Sequence, residues 1–158
     1  MAKLPEKTEG PWVTSFDPLT RQWRYSIDYS ASYAEDSPFF HALGRGKLLG
    51  SECEACHYRY ATPRACCMTC GGATRWFELP LEGRVHSWTI CHFSGEPHLA
   101  ECPFTLGLIE FDGVDTLFMS RLVGDVPVRI GMPVRARFRR KKTWSVNDVY
   151  FVTAPEGA

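Results

Sequence analysis

Two closely spaced cysteine pairs constrain this chain more than any other feature. The first pair is C-E-A-C at 53–56 and the second is C-M-T-C at 67–70, with ten residues between them. Two C-x-x-C turns at this separation have the ligand spacing of a tetrahedral metal site. Thiolates are soft ligands that select zinc, or less often iron. Cys53, Cys56, Cys67 and Cys70 therefore predict a closed structural Zn²⁺ site with no open position for a substrate.

Three alternatives share these residues. Iron in a rubredoxin-like centre would use the same four thiolates, although His57 follows the first pair where a tight turn favours glycine. Cys66 offers a competing spacing to Cys70, but the repeated C-x-x-C step favours Cys67 as the ligand. Residues 53–57 also match C-x-x-C-H, the attachment motif of c-type haem, which would make the chain an electron carrier. The second cysteine pair and the strands predicted around the motif argue against haem.

The charge and the apolar pattern exclude several classes of protein. The 158 residues carry 18 basic and 18 acidic side chains, which argues against a protein that mainly coats nucleic acid or an anionic membrane. No run approaches the ~20 apolar residues of a membrane span, and the start lacks the apolar core of a signal peptide. Seven cysteines without an export signal predict cytoplasmic thiols that bind metal rather than pair as disulfides.

The N-terminal segment divides into an arm and a short helix. Residues 1–34 have no clear period, and they form either a flexible tail or a docking arm. The number of aromatic residues favours docking, because disordered tails contain few of them. Ser37-Pro38 has the pattern of a helix start, and Gly44 and Gly46 mark an end, which predicts one helix over about 37–45. The aromatic residues of the arm are Trp12, Phe16, Trp23, Tyr25 and Tyr29.

From residue 77 onward the pattern alternates between strands and turns. Asp112-Gly113 is a hairpin signal, and Val134, Ala136 and Phe138 alternate with arginines as in a half-buried strand. Five short strands joined by turns fit a small closed β-barrel better than a sandwich. The predicted strands are 85–93, 104–111, 116–122, 134–139 and 146–152.

The remaining reactive side chains give no convincing nucleophile–base pair. Cys91 neighbours His92, but adjacent residues on a strand point to opposite faces, so Cys91 fits a core position and Cys102 a loop. His86 and His92 share a strand face, where ordinary surface histidines are favoured over a second metal site. Residues 135–142 carry six positive charges in eight positions. They predict a solvated strand tip, a phosphate-binding surface or a docking site for an acidic partner.

Three further segments, together with the cysteine set, resemble a known family. They are K-L-L-G-S-E-C at 47–53, G-R-V-H-S-W-T at 83–89 and G-M-P-V-R at 131–135. The chain is similar to the acyl-CoA-associated zinc-ribbon and OB-fold proteins over roughly residues 35–152, with His57, Cys66 and the long aromatic arm as departures. The resemblance implies a mainly β fold with a rubredoxin-like zinc ribbon, a five-stranded OB barrel and one short helix. The expected divisions are an arm at 1–34, helix and ribbon at 35–76, and the barrel at 77–154.

The same resemblance implies an accessory role. Members of the family pair with thiolase-fold enzymes, or with hydratases and aldolases, that act on CoA thioesters. We therefore expect a cytoplasmic hetero-oligomer in which a thiolase-fold partner cleaves a 3-oxoacyl-CoA with CoA, while this chain helps to form the CoA site. Arg139, Arg140, Lys141 and Lys142 are the candidate contacts to CoA phosphates or to the partner. A single-stranded nucleic-acid-binding module is the alternative from another class, because zinc ribbons and OB barrels both occur there.

Overall fold

The computed structural model describes residue 21 and residues 23–153. Met1–Ala31 and Ser32–Ala158 form separate units. The described residues of the first unit form no helix or strand, and the docking role of the arm remains a prediction. Trp23, Tyr25 and Tyr29 of the arm are exposed, whereas Trp12 and Phe16 lie outside the described residues.

The predicted helix over 37–45 is confirmed as α1, Ser37–Gly44. A 3₁₀ turn over Ala34–Asp36 leads into it, and Pro38 occupies the first turn, where its missing N–H costs no hydrogen bond. The apolar face buries Phe39, Ala42 and Leu43. Gly46 ends the helix with a φ of 75°, a left-handed conformation that glycine adopts without strain.

A three-stranded antiparallel ribbon follows, in the order β2-β1-β3. Its strands are β1 (Leu49–Cys53), β2 (Arg59–Tyr60) and β3 (Thr74–Glu78). The two cysteine turns connect them, one between β1 and β2 and the other between β2 and β3. β1 and β2 approach so closely that a Cβ on Gly50 would lie 2.5 Å from the Tyr60 carbonyl oxygen. β3 pairs with β1 along its whole length, and the predicted division at 76/77 falls within it.

The second half of the chain closes into a five-stranded barrel in the order β4-β5-β6-β8-β7, as predicted. Neighbouring strands are antiparallel except β6 and β8, which are parallel. The alternation in β7 is also confirmed, because Val134 and Ala136 are buried while Arg135 and Arg137 are exposed. The barrel strands are β4 (Glu82–Cys91), β5 (Phe104–Glu110), β6 (Phe118–Val123), β7 (Pro133–Phe138) and β8 (Val149–Thr153).

Several local features differ from the sequence-based expectation. The first barrel strand runs over Glu82–Cys91 rather than 85–93, and Cys91 at its end is half-buried rather than in the core. Between β4 and β5 the chain forms a one-turn helix, α2 (Glu96–Leu99), which the sequence analysis did not predict. The last strand begins at Val149 rather than at 146, because Val146–Asp148 form a 3₁₀ turn. The one-turn helix and the 3₁₀ turn are too short for hydrophobic periodicity to reveal them.

Helix, ribbon and barrel share one hydrophobic core. Each element alone is too small to bury much apolar surface, and together they form a larger core. No helix among the described residues is long and apolar enough to span a membrane. The core receives Phe39 and Leu43 from α1, Leu48, Ala61 and Leu79 from the ribbon and its flanks, and Val85, Ile109, Phe118, Val134 and Phe151 from the barrel.

A buried carboxylate organises the loop between β7 and β8. Asp148 is 1% exposed and accepts hydrogen bonds from the Thr143 amide (2.8 Å), the Thr143 hydroxyl (2.8 Å) and the Trp144 amide (2.9 Å). Burial alone would raise the pKa of Asp148, but these hydrogen bonds and the nearby Lys142 charge outweigh burial and lower it. A lowered carboxyl pKa stabilises the fold above the unfolded pKa of about 4, and this stabilisation is lost as the pH falls through the folded value.

We predict that Asp148→Asn lowers the melting temperature at pH 7. Loss of charge-assisted hydrogen bonds costs about 2 kcal/mol, which corresponds to about 6 °C for a chain of this size. Thermal unfolding followed by circular dichroism measures the difference. Asp125→Asn is the matched control, because Asp125 is exposed and its replacement should leave the melting temperature unchanged. Equal melting of the two variants would contradict the structural role of Asp148.

Candidate metal centre

The first cysteine turn forms at the end of β1. Cys53 is the last residue of that strand, and its carbonyl oxygen accepts a hydrogen bond of 3.0 Å from the His57 amide. The Cys56 amide points at the Cys53 sulfur, 3.5 Å away. His57 has a φ of 59°, so the side chain noted in the sequence does occupy a position where glycine would be less strained.

The second cysteine turn repeats this arrangement. The Gly71 amide donates to the Cys67 carbonyl oxygen at 2.9 Å, and Gly71 has a φ of 74°, which matches His57 in the first turn. The Thr69 amide lies 3.4 Å from the Cys67 sulfur. A side chain at Gly72 would crowd the site, because its Cβ would lie 3.3 Å from the Cys53 sulfur. Each turn thus directs backbone amides toward sulfur, which stabilises thiolates.

Together the two turns bring four sulfurs to one point. All four lie within 4.8 Å of one another; Cys53 and Cys70 are 3.5 Å apart, and Cys56 lies 3.6 Å from both Cys67 and Cys70. A tetrahedral zinc site with Zn–S bonds of about 2.3 Å requires sulfurs about 3.8 Å apart. The donor set and its spacing therefore fit a metal such as zinc.

The positions of the four sulfurs bear on two of the alternatives, haem attachment and Cys66 as a ligand. Haem attachment would use Cys53 and Cys56 alone, whereas here both thiols share a centre with the second pair. The His57 ring, which haem would need as a ligand, lies 3.2 Å from the Glu52 carboxylate. Cys66 forms an isolated bridge with Ala73 and is not in the cluster. The expected choice of Cys67 over Cys66 agrees with this arrangement.

The pKa values of the clustered thiols show why the site favours a bound cation. The Tyr60 hydroxyl donates to the Cys67 sulfur at 3.4 Å, which lowers the pKa of Cys67 to about 5. For Cys56, the Tyr58 amide lowers the pKa, but hydrogen bonds to Cys53 and the other sulfurs, together with burial, raise it to about 12. Four adjacent thiols do not all ionise in the absence of a cation; a bound dication would displace the remaining protons.

A second layer of polar groups supports the centre, and the sequence did not reveal it. Tyr60 bridges the second turn by accepting from the Met68 amide at 2.9 Å while contacting Cys67. The buried Glu52 carboxylate lies 3.5 Å from Arg59 and 3.4 Å from Arg75. The His57 hydrogen bond, followed by these two charges, lowers the pKa of Glu52. The sequence contains one signal for this layer, the acidic residue Glu52 directly before the first cysteine. A carboxylate that is buried there needs charged or hydrogen-bonding partners.

The basic run is less uniform than the sequence indicates. Arg140 and Lys141 are exposed and free of ion pairs among the described residues. Lys142 is half-buried, and its ammonium donates to the Leu43 carbonyl oxygen at 3.3 Å. The Arg139 amide donates to the Asp148 carbonyl oxygen at 2.9 Å. Lys142 is therefore partly engaged at the end of α1, and contact of these four residues with CoA phosphates or with a partner stays a prediction.

The other reactive side chains do not form a catalytic pair. Neither Cys91 nor Cys102 hydrogen-bonds to a histidine ring among the described residues; the Cys102 thiol instead donates to the His98 carbonyl oxygen at 3.7 Å. His86 lies 3.0 Å from Glu110. In residues 21 and 23–153 the four-cysteine group is the one cluster with metal-binding geometry.

The chain resembles known proteins in both sequence and structure. The profile of "ChsH2, C-terminal OB-fold domain" matches residues 76–139. The solved structure "Ltp2-ChsH2(DUF35) aldolase" is 26% identical with a TM-score of 0.58, and the match covers 82% of this chain and 96% of that one. The chain therefore has the architecture of the DUF35 proteins, and its barrel half matches the OB-fold domain of ChsH2.

Two further relatives extend the comparison. A DUF35 protein of unknown function from Sulfolobus solfataricus has the same fold, with a TM-score of 0.56, 21% identity and coverage of 74% of this chain and 83% of its own. A "Probable enoyl-CoA hydratase alpha subunit" from Thermomonospora curvata is 32% identical over 134 residues, or 82% of this chain. The match spans 39% of that relative's length.

We predict that this chain binds about one zinc ion and that Cys53→Ser or Cys67→Ser abolishes binding. A structural zinc supplies on the order of 10 kcal/mol to a module of this kind, so the ribbon should unfold in these variants. Elemental analysis of purified protein gives the stoichiometry. Cys66→Ser is the matched control, adjacent in sequence yet outside the cluster, and should retain full zinc. Zinc loss in the control alone would reverse the ligand assignment.

Proposed function

We propose that this chain is a non-catalytic, zinc-stabilised subunit of an enzyme complex that acts on CoA thioesters. The observation that carries the proposal is the shared architecture with the DUF35 chain of "Ltp2-ChsH2(DUF35) aldolase", of which 96% is covered. The hydratase subunit from T. curvata supports the same substrate class. Four thiolates around one metal leave no coordination position for a substrate, so the chemistry would come from a partner.

A more specific form of the proposal concerns the partner. We propose a thiolase-fold enzyme whose own cysteine takes up the acyl group released from a 3-oxoacyl-CoA, after which free CoA carries that group away. The substrate we favour is benzoylsuccinyl-CoA, which CoA splits into benzoyl-CoA and succinyl-CoA in anaerobic toluene degradation. The resemblance of the cysteine module and of the 131–135 segment to thiolase-associated family members supports this choice.

Co-purification from native extract, followed by activity assays, tests the proposal. The full tagged chain should retain a thiolase-fold protein, and cleavage of a 3-oxoacyl-CoA with CoA should require both proteins. Benzoylsuccinyl-CoA and a straight-chain 3-oxoacyl-CoA are compared as substrates. A partner that is fully active alone would refute the need for this chain. Recovery of a hydratase or an aldolase instead would remove the thiolase assignment and leave the accessory role standing.

The exposed part of the basic run gives a second prediction. We expect Arg140→Ser with Lys141→Ser to raise the KM for CoA or to weaken assembly by about five- to thirtyfold, since exposed ion pairs contribute roughly 0.5–1 kcal/mol each. Extending the change to Arg139 and Lys142 should add a loss of stability, because Lys142 also holds α1.

Arg45→Ser with Arg84→Ser is the control, because both residues are exposed and removing them changes the net charge equally. Steady-state kinetics and analytical ultracentrifugation measure the two effects. If the KM and the assembly constant stay the same in the first double variant, the basic run contacts neither CoA nor the partner.

A further inference from the structure

The barrel has an open seam on its outer surface between β6 and β8. These two strands pair only at Leu122–Phe151 and Val123–Val152. Toward the start of β6 they diverge, and the Ser120 hydroxyl bridges the gap by donating to the Val149 carbonyl oxygen at 3.2 Å. A concave surface forms where the ladder ends. In OB barrels the usual ligand surface is the face of the second and third barrel strands, here β5 and β6, framed by the loops after the first and fourth strands; residues of both strands line the concave surface.

The first concavity along this seam has a volume of about 240 Å³. Its walls are mainly apolar, with Leu106 and Val149 among them, and Arg121 and Arg139 provide the charge. Arg121 is already paired with Glu101. The guanidinium of Arg139 pairs with no carboxylate in the described part of the chain, which leaves one uncompensated cation at the rim.

A second concavity of about 300 Å³ lies directly beside the first. Met119 and Val146 line both concavities. Met119 is 60% exposed and, as an unbranched thioether, adapts easily to a neighbouring ligand. The remaining wall is apolar, with Phe40 and Pro63, except for Asp36 at one end. We call the two concavities together the β6 groove.

Charge gives the β6 groove a direction. Arg139, which pairs with no carboxylate among the described residues, lines the first concavity, Asp36 lines the second, and the Met119 and Val146 side chains that line both are apolar. Together the two volumes fall in the range of ~300–1,000 Å³ that is typical of small-molecule sites. An anionic head group would be attracted by Arg139 and repelled by Asp36, which leaves the second concavity to an uncharged, apolar tail.

We propose that the β6 groove binds a small amphiphilic carboxylate, with its head group on Arg139 and its hydrocarbon chain across Met119 toward Phe40. This site goes beyond the subunit role proposed above and does not depend on which enzyme is the partner. Single-stranded nucleic acid fits the groove less well. The Arg121 guanidinium covers one face of the Phe104 ring at 4.1 Å, which removes that face for stacking on a base.

Calorimetric titration of the full, zinc-loaded chain with octanoate and with octanol tests the proposal. Ten heavy atoms predict a Kd of about a millimolar or tighter for octanoate. Arg139→Gln should weaken octanoate binding about tenfold through loss of the charge-assisted contact and leave octanol unaffected. Arg140→Gln is the matched control, because Arg140 carries the same charge one position away but does not line the groove.

The hydrocarbon series tests the second concavity. From butyrate to decanoate the affinity should rise by up to about fourfold per methylene group. Met119→Trp, which fills the passage between the concavities, should remove this gain and leave butyrate binding unchanged. The proposal is overturned if octanoate fails to bind at millimolar concentration, if octanol binds as tightly as octanoate, or if Arg139→Gln and Arg140→Gln behave alike. Displacement of octanoate by a single-stranded oligonucleotide would also overturn it, in favour of nucleic acid.

Discussion

The four sulfurs at the cysteine turns are the constraint on which the ribbon depends. Apart from them, the ribbon's own buried cluster contains Tyr60 and a contact from Tyr58, and β2 is two residues long. Apolar burial on this scale is too small to hold three strands in place. Bringing four ionisable thiols within 4.8 Å is unfavourable unless a cation neutralises them. A metal bound by these four sulfurs would take the place of a larger hydrophobic core in the ribbon and would cross-link the two cysteine turns.

The ribbon in turn helps to complete the barrel. Leu48, Ala61 and Leu79 lie at its strand ends, and all three are buried in the core shared with the barrel and α1. This region also contributes to the β6 groove, because Pro63, which follows β2, lines its second concavity. Unfolding the ribbon would remove that wall and expose part of the core. In this way a site without catalytic chemistry can still control the surface that a ligand or partner would meet.

The sequence predicted the parts of the fold that follow from short-range pattern. Cysteine spacing placed the two turns, and the alternation of Val134 and Ala136 with arginines placed β7. It did not predict the polar support, because Glu52 meets Arg75 and His57 through the folded ribbon, and Tyr60 reaches Cys67 across a turn. Asp148 was missed for the same reason. Its partners lie four and five residues earlier, in a loop with no periodicity.

The sequence also did not predict the different environments within the basic run at 135–142. Most of its cations are exposed, whereas Lys142 is half-buried and hydrogen-bonds to the end of α1.

Zinc K-edge X-ray absorption of the purified chain tests the central claim most directly. A structural four-thiolate site predicts a single shell of four sulfurs at about 2.3 Å. A shell that contains oxygen or nitrogen, with an open position for water, would contradict it and return catalysis to this chain.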